Sequence, residues 1–196
     1  MLARAVGLAT VPAALLWYGS GASAGTPAPS LEALVRASER IVVGRIRIGK
    51  SVEEVLNLNP EGDPARIVCT YIEVAASEHL KGEPTDSLTV RLLGGYAAGY
   101  AVIDADAPPV VDGEQVMLFL AQSDTPRLDS GAPAFYLPYA RYGKVRVVEQ
   151  SGQRLAVLPT SAAAFGLVPQ PGSANVVAYD RLRALVEAQV ALEERD

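Results

Sequence analysis

His79 is the only histidine of this chain and Cys69 its only cysteine. A serine–histidine–acid triad would have to use His79 and to present its serine on a Gly-x-Ser-x-Gly elbow between a strand and a helix. No Gly-x-Ser-x-Gly follows a strand and opens a helix, and Gly19-Ser20-Gly21 belongs to the amino-terminal leader. Structural zinc prefers several nitrogen and sulfur ligands, and one histidine with one cysteine leaves it dependent on carboxylates. Calcium suits carboxylates better. Asp104, Asp106 and Asp112 share one loop region, yet they lack the ligand spacing and turn glycine of an EF-hand, so the alternative is a solvated acidic loop. Glu73 could act as a general acid if it were buried on a strand face with Tyr71 and Cys69. Its alternative is an outer-face ion pair with Arg45 or Arg91, and a lone carboxylate has no partner for acid/base work. The sequence therefore assigns no catalytic residue, no metal ligand and no cofactor.

Recognition chemistry is richer. Phe135-Tyr136-Leu137-Pro138-Tyr139-Ala140-Arg141-Tyr142-Gly143 supplies large rings and directional hydrogen bonds, the composition enriched at protein-binding hot spots. Tyr96 and Tyr100 extend it, so the candidate binding patch is Tyr96, Tyr100, Tyr136, Tyr139, Arg141 and Tyr142. The alternative is that these rings cover one end of the fold or stack along a strand. Nucleobase stacking is disfavoured because few basic residues accompany the rings. The chain has a formal charge of −5 with no polybasic run, which argues against capture of nucleic acid or anionic lipid.

The first 24 residues read as an export leader. Arg4 provides the basic end, Ala5 to Tyr18 the apolar stretch, and Ala22-Ser23-Ala24 the small-residue cleavage pattern. The apolar stretch is shorter than the ~20 residues of a membrane-spanning helix. The expectation is a signal peptide over 1–24, a mature chain from Gly25, a periplasmic or extracellular location and no stable membrane anchor after cleavage. With one cysteine, an exported chain has no intramolecular disulfide and relies on its core. Cys69 lies in an apolar, β-like run and reads as a small buried hydrophobe, with an intermolecular disulfide as the alternative.

The elements that position these residues follow from periodicity. Ser30 caps a short helix with Leu31, Leu34 and Val35 as its buried stripe. Ile41 to Ile48 is a strand whose apolar pattern changes phase at Gly44, the mark of a bulge or bend. After it Ile46 and Ile48 point inward, and Arg45 and Arg47 outward. Ser51 to Pro64 reads as a loop, with turns at Asn59-Pro60 and Glu61-Gly62-Asp63-Pro64 and a helical turn over Val52 to Leu56. Arg66 to Ala76 is a long strand closed by Leu80-Lys81-Gly82, and Ser87 to Leu93 an alternating one ended by Gly94-Gly95. Tyr96 to Val111 reads as a long loop. Gln115 to Ala121 is buried on both faces, with Val116, Leu118 and Leu120 facing in and Met117 and Phe119 facing a second environment. After a polar loop, Gln122 to Pro133, come Phe135 to Leu137, Lys144 to Glu149 and Arg154 to Leu158, the last two joined by a hairpin turn at Gln150–Gln153. A helix over Ala178 to Glu194 carries the stripe Leu182, Leu185, Val186, Gln189 and Val190 and should dock. The fold class is an all-β core with flanking helices: five or six antiparallel strands forming a small closed or nearly closed barrel, with an amino-terminal helix and a docked carboxy-terminal one.

Five pieces in this order carry a resemblance. They are Val42-Val43-Gly44-Arg45-Ile46, Glu73 to Gly82, Leu88 to Val90 with Gly94-Gly95, Gly113 to Leu120, and Gly143 to Val147. The set resembles a loose group of exported bacterial proteins of unassigned function and covers about Ser30 to Val148. The arrangement is similar to the oligonucleotide/oligosaccharide-binding (OB) barrel, particularly to the netrin-like version used by tissue inhibitors of metalloproteases. The resemblance implies one OB-like domain over 25–196, including the carboxy-terminal hairpin and helix. Those inhibitors chelate the protease zinc through an amino-terminal, disulfide-fixed cysteine. This chain departs from them there, since the expected mature end is Gly25.

The functional expectation is a secreted or periplasmic, non-enzymatic interaction module that takes a protein partner. One alternative is an inhibitor or accessory of a secreted protease, acting without amino-terminal cysteine chelation. Another is a hydrolase dependent on carboxylates.

Overall fold

A computed structural model describes residues 27–56, 65–123 and 134–195. The leader over 1–24, the turns between 57 and 64 and most of the polar loop after Gln122 lie outside the described residues. No helix among the described residues is long and apolar enough to cross a membrane.

The chain is mostly β, with two α-helices. Helix α1, Leu31–Arg36, starts where the Ser30 hydroxyl accepts the Ala33 N–H at 3.1 Å, and it buries Leu31, Leu34 and Val35. Strands β1, Arg40–Leu56, and β2, Ala65–Lys81, form a long antiparallel pair. Val52 to Leu56, expected as a helical turn, belongs to β1. The paired backbone of Ala65 to Cys69 supplies its hydrogen bonds, and the β-branched Val52 and Val55 suit a pleated surface. Strand β3 spans Ser87–Leu93, as expected. The presumed loop after it begins with a small hairpin, β4 (Gly95–Ala97) with β5 (Tyr100–Val102). Ala98 and Gly99 between them both have positive φ, 52° and 86°, the geometry of a two-residue hairpin turn. An Ala-Gly pair announces such a turn far less clearly than Asn-Gly.

Strand β6, Gln115–Gln122, is the branch point. Gln115 to Leu120 pair with Arg45 to Arg40 of β1. Ala121 and Gln122 pair with β7, Ala134–Tyr136, and Gln115 to Leu118 pair with β8, Lys144–Gln150. Strand β7 also runs parallel to β3 through Thr89 and Val90, a correction to the expected all-antiparallel order. One path of pairings therefore leads from β1 through β2, β3, β7 and β6 back to β1. The other leads from β8 to β9 (Gln153–Val157) and β10 (Val176–Ala178), the last of these unforeseen. The β8–β9 turn holds Ser151 and Gly152 at φ 52° and 75°, as a tight hairpin requires.

Two apolar clusters lie on opposite faces of β6. Val42, Ile46, Ile72, Val74, Leu88, Val90, Leu118 and Phe135 meet in one, drawn from all five strands of the first path. Ile41, Val43, Met117, Phe119, Val145 and Val147 meet the helices in the other. The apparent change of phase at Gly44 is thus a change of cover. Ile41 and Val43 share a face with Arg45 and Arg47, but only the first two lie in the cluster that packs against the helices. Ile48, expected inside, is 40% exposed because it lies beyond the segment of β1 that β6 pairs.

Helix α2, Tyr179–Glu193, docks through Tyr179, Leu182, Val186 and Val190; Leu185 falls off this stripe and is exposed. Polar links fix it to β2. Lys81 donates to both carboxylate oxygens of Glu193 at 2.8 Å and to the Val35 carbonyl at 2.9 Å, joining both helices to one strand end. Glu78 accepts from the Tyr179 hydroxyl at 2.9 Å and from Arg154 at 3.0 Å. Burial alone would push the Glu78 carboxyl up, but the hydrogen bonds from Tyr179 and Arg154 outweigh it and hold the group below its ordinary range.

A Cβ added at Gly44 would lie 2.4 Å from the Ala75 carbonyl oxygen and 2.8 Å from Val74 Cγ1. Gly44→Ala should destabilise the protein by about 1–3 kcal/mol, read as a lower urea midpoint at unchanged slope. An unaltered midpoint would contradict this close approach of β1 to β2.

Candidate functional site: two clefts beside an aromatic ridge

The aromatic segment runs from β7 through Leu137 and Pro138 into a 3-10 turn over Ala140–Gly143 that leads into β8. The acidic loop after β5 lies against it. The Arg141 N–H donates to the Asp106 carbonyl at 2.9 Å, and the Arg141 guanidinium pairs with the Asp106 carboxylate at 3.2 Å. Two features that looked independent in sequence are thus one ridge, with a cleft on either side and the buried Pro108 lining both.

The first cleft encloses about 400 Å³, within the range of small-ligand sites. Arg91, Asp104, Gln122, Ser123 and Tyr136 give it polar groups, and Leu93 and Leu137 are among its apolar walls. Tyr136 is 40% exposed. Arg91 is held rigidly: its Nε and Nη2 donate to Glu54 Oε2 at 2.9 and 2.7 Å, and the Tyr71 hydroxyl donates to Glu54 Oε1. Burial would raise the Glu54 carboxyl, but the bonds from Arg91 and Tyr71 hold it below its ordinary range. Cys69 adjoins this group, fully buried, and burial pushes its thiol up to about 11. A buried sulfur is out of reach of an intermolecular disulfide.

The candidate patch is divided by this geometry. Tyr139, Arg141 and Tyr142 line a small cavity of about 130 Å³ with Asp106, and both rings also pack against the helix-side core. Tyr136 opens into the first cleft. Tyr96 and Tyr100 sit on the β4–β5 hairpin, where the Tyr100 hydroxyl donates to Glu53 at 2.9 Å, and neither lines either cleft. The Glu54–Arg91 pair, 37 residues apart in sequence, was missed. The available signal was that Tyr71 and Arg91, directly opposed across β2 and β3, both fall on the face turned away from the interior.

The other chemical candidates hold structural positions. Glu73 pairs with Arg47 on an exposed face, while Arg45 donates to the Gly113 carbonyl at 2.7 Å. Asp112 accepts the Ile48 N–H at 2.8 Å, and Asp104 accepts the Asp106 N–H at 2.9 Å. Among the described residues no group of three or more His, Cys, Asp or Glu side chains could hold a metal ion. His79 Nε2 accepts the Thr85 N–H at 3.4 Å, and His79 lines neither cleft.

Two outcomes follow from the Cys69–Glu54 group. Cys69 should react with a thiol reagent at least a hundredfold more slowly in the native protein than in denaturant, and comparable rates would contradict its burial. Because the Glu54 carboxyl is depressed on folding, its stabilisation is present above the unfolded value, about 4.3, and is lost as the pH falls through the folded value. Glu54→Gln should therefore flatten the loss of stability in that acid range, measured by urea melts at several pH values, and an unchanged slope would exclude this role. The chain matches no protein-family model and no curated protein.

Proposed function

We propose that this chain is an exported, non-enzymatic interaction module that captures a protein partner in the first cleft, on an OB-like barrel of five strands. The pairing path from β1 through β2, β3, β7 and β6 back to β1 supports the barrel, as does the cluster to which all five strands contribute. The leader pattern at Ala22-Ser23-Ala24 supports export.

The observation that carries the reading is a half-exposed tyrosine, Tyr136, at a cleft whose arginine is already immobilised by Glu54. A fixed guanidinium loses little side-chain freedom on binding, and a tyrosine ring offers large contact area with two χ angles to order. A hydrolase working through paired carboxylates is less well supported, since Asp104 is the only acid among the described residues lining this cleft. The netrin-like inhibitors' chelating chemistry has no counterpart in the residues on which the resemblance rests.

The test is capture of partners from the secreted or periplasmic fraction, followed by titration of the purified pair. Tyr136→Ala should weaken binding about tenfold or more, and Leu192→Ala on the exposed side of α2 should leave it unchanged. A partner that binds both variants like the wild type would remove the first cleft from the proposal.

A further inference from the structure

The second cleft, about 370 Å³, lies between the Pro108–Val111 segment and the β8–β9 hairpin. Its electrostatics run against those of the chain. The protein carries a net charge of −5, yet Arg141, Lys144 and Arg146 line this cleft against one acid, Glu114. Lys144 and Glu114 form an ion pair at its base, with side chains 8% and 9% exposed. Lys144 also donates to the Pro109 carbonyl, and Glu114 accepts the Val111 N–H at 2.9 Å. That pair neutralises itself and braces the loop. Arg141 is shared with Asp106. Arg146 is exposed and, among the described residues, has no carboxylate partner. Beside it stand Val157, opposed to it across β8 and β9, and Pro109 and Pro159.

We infer that this second cleft is a binding site for an organic carboxylate carried on an apolar body. The carboxylate would sit on the Arg146 guanidinium, whose planar fork matches two carboxylate oxygens, while the apolar body lies against Val157 and the prolines. The match is one of charge and surface: a cation with no carboxylate partner among the described residues, at the edge of a mainly apolar recess. The buried Lys144–Glu114 pair sets the recess, because it ties the loop that forms one wall to the strand that forms the other. This site is separate from the Tyr136 cleft and does not depend on the function proposed for that cleft.

The test uses the purified full-length mature chain and two ligands, N-acetyl-leucyl-valine with a free carboxylate and the same dipeptide as its amide. The free acid should bind saturably at millimolar concentration or below and shift the Val157 methyl resonances. The amide should bind at least tenfold more weakly. Arg146→Gln, a change at an exposed side chain, should weaken the acid at least tenfold and leave the amide unchanged, whereas Tyr136→Ala should alter neither. Competition by octanoate would assign the site to alkyl carboxylates in general, and its failure to compete would assign it to peptide carboxylates; both outcomes keep the site. Equal binding of acid and amide, no saturable binding of the dipeptide acid, or indifference to Arg146→Gln would each overturn the inference.

Discussion

Strand β1 is paired along both edges from Ile41 to Arg45, and the rest of the structure depends on that double pairing. It requires the β1 and β2 backbones to approach at Gly44 more closely than any side chain allows, since a Cβ there would fall 2.4 Å from the Ala75 carbonyl oxygen. Register shifts in the β1–β2 ladder at Val43/Gly44 and Ile48/Ser51 flank the point after Arg45 where β1 leaves β6, and such irregularities bend a strand pair. One strand thereby contributes Val42 and Ile46 to the cluster within the five-strand path, and Ile41 and Val43 to the cluster beneath the helices.

Polar links then lock what the apolar clusters assemble. Lys81 gathers the ends of both helices, and Glu78 gathers the start of α2 with β9 through Tyr179 and Arg154. Arg154 also lies 3.8 Å from the centroid of the buried Tyr179 ring. Each of these groups is satisfied by a charged or hydroxyl partner, as partly buried polar groups require. The same device recurs at the surface proposed for recognition, where Glu54 immobilises Arg91 and Glu114 holds Lys144. Removing one member of the Glu114–Lys144 pair would strand its partner in a poorly solvated place, at a cost of roughly 3–5 kcal/mol.

The two clefts are placed by the branching of the sheet at β6. Strands β7 and β8 both pair with it, and the chain between them cannot continue either ladder, so it forms the ridge from Leu137 to Gly143. The acidic loop docks on that ridge through Arg141 and Asp106. Tyrosines six residues apart, Tyr136 and Tyr142, therefore end in different settings, one open to a cleft and one against the core.

Local sequence determined most elements of the fold. The Ser30 cap and the Gln150–Gln153 turn depend on neighbours a few residues away, and the alternation from Ser87 to Leu93 and the continuous apolar run from Val116 to Ala121 are legible from local residue types. Gly44 showed in the sequence only as a break in the apolar pattern; the need for a glycine there comes from Ala75 on the neighbouring strand. What depended on distant partners was illegible. Val52 to Leu56 became strand because β2 lay alongside, Ile48 was left exposed because β6 ended short of it, and Tyr96 and Tyr100 parted from Tyr136 because a hairpin carried them elsewhere. Side-chain pairs such as Glu54–Arg91 and Glu114–Lys144 are decided only when strands far apart in sequence fall into register. Local periodicity reports which face a residue occupies, and it carries no information about which residue will stand opposite.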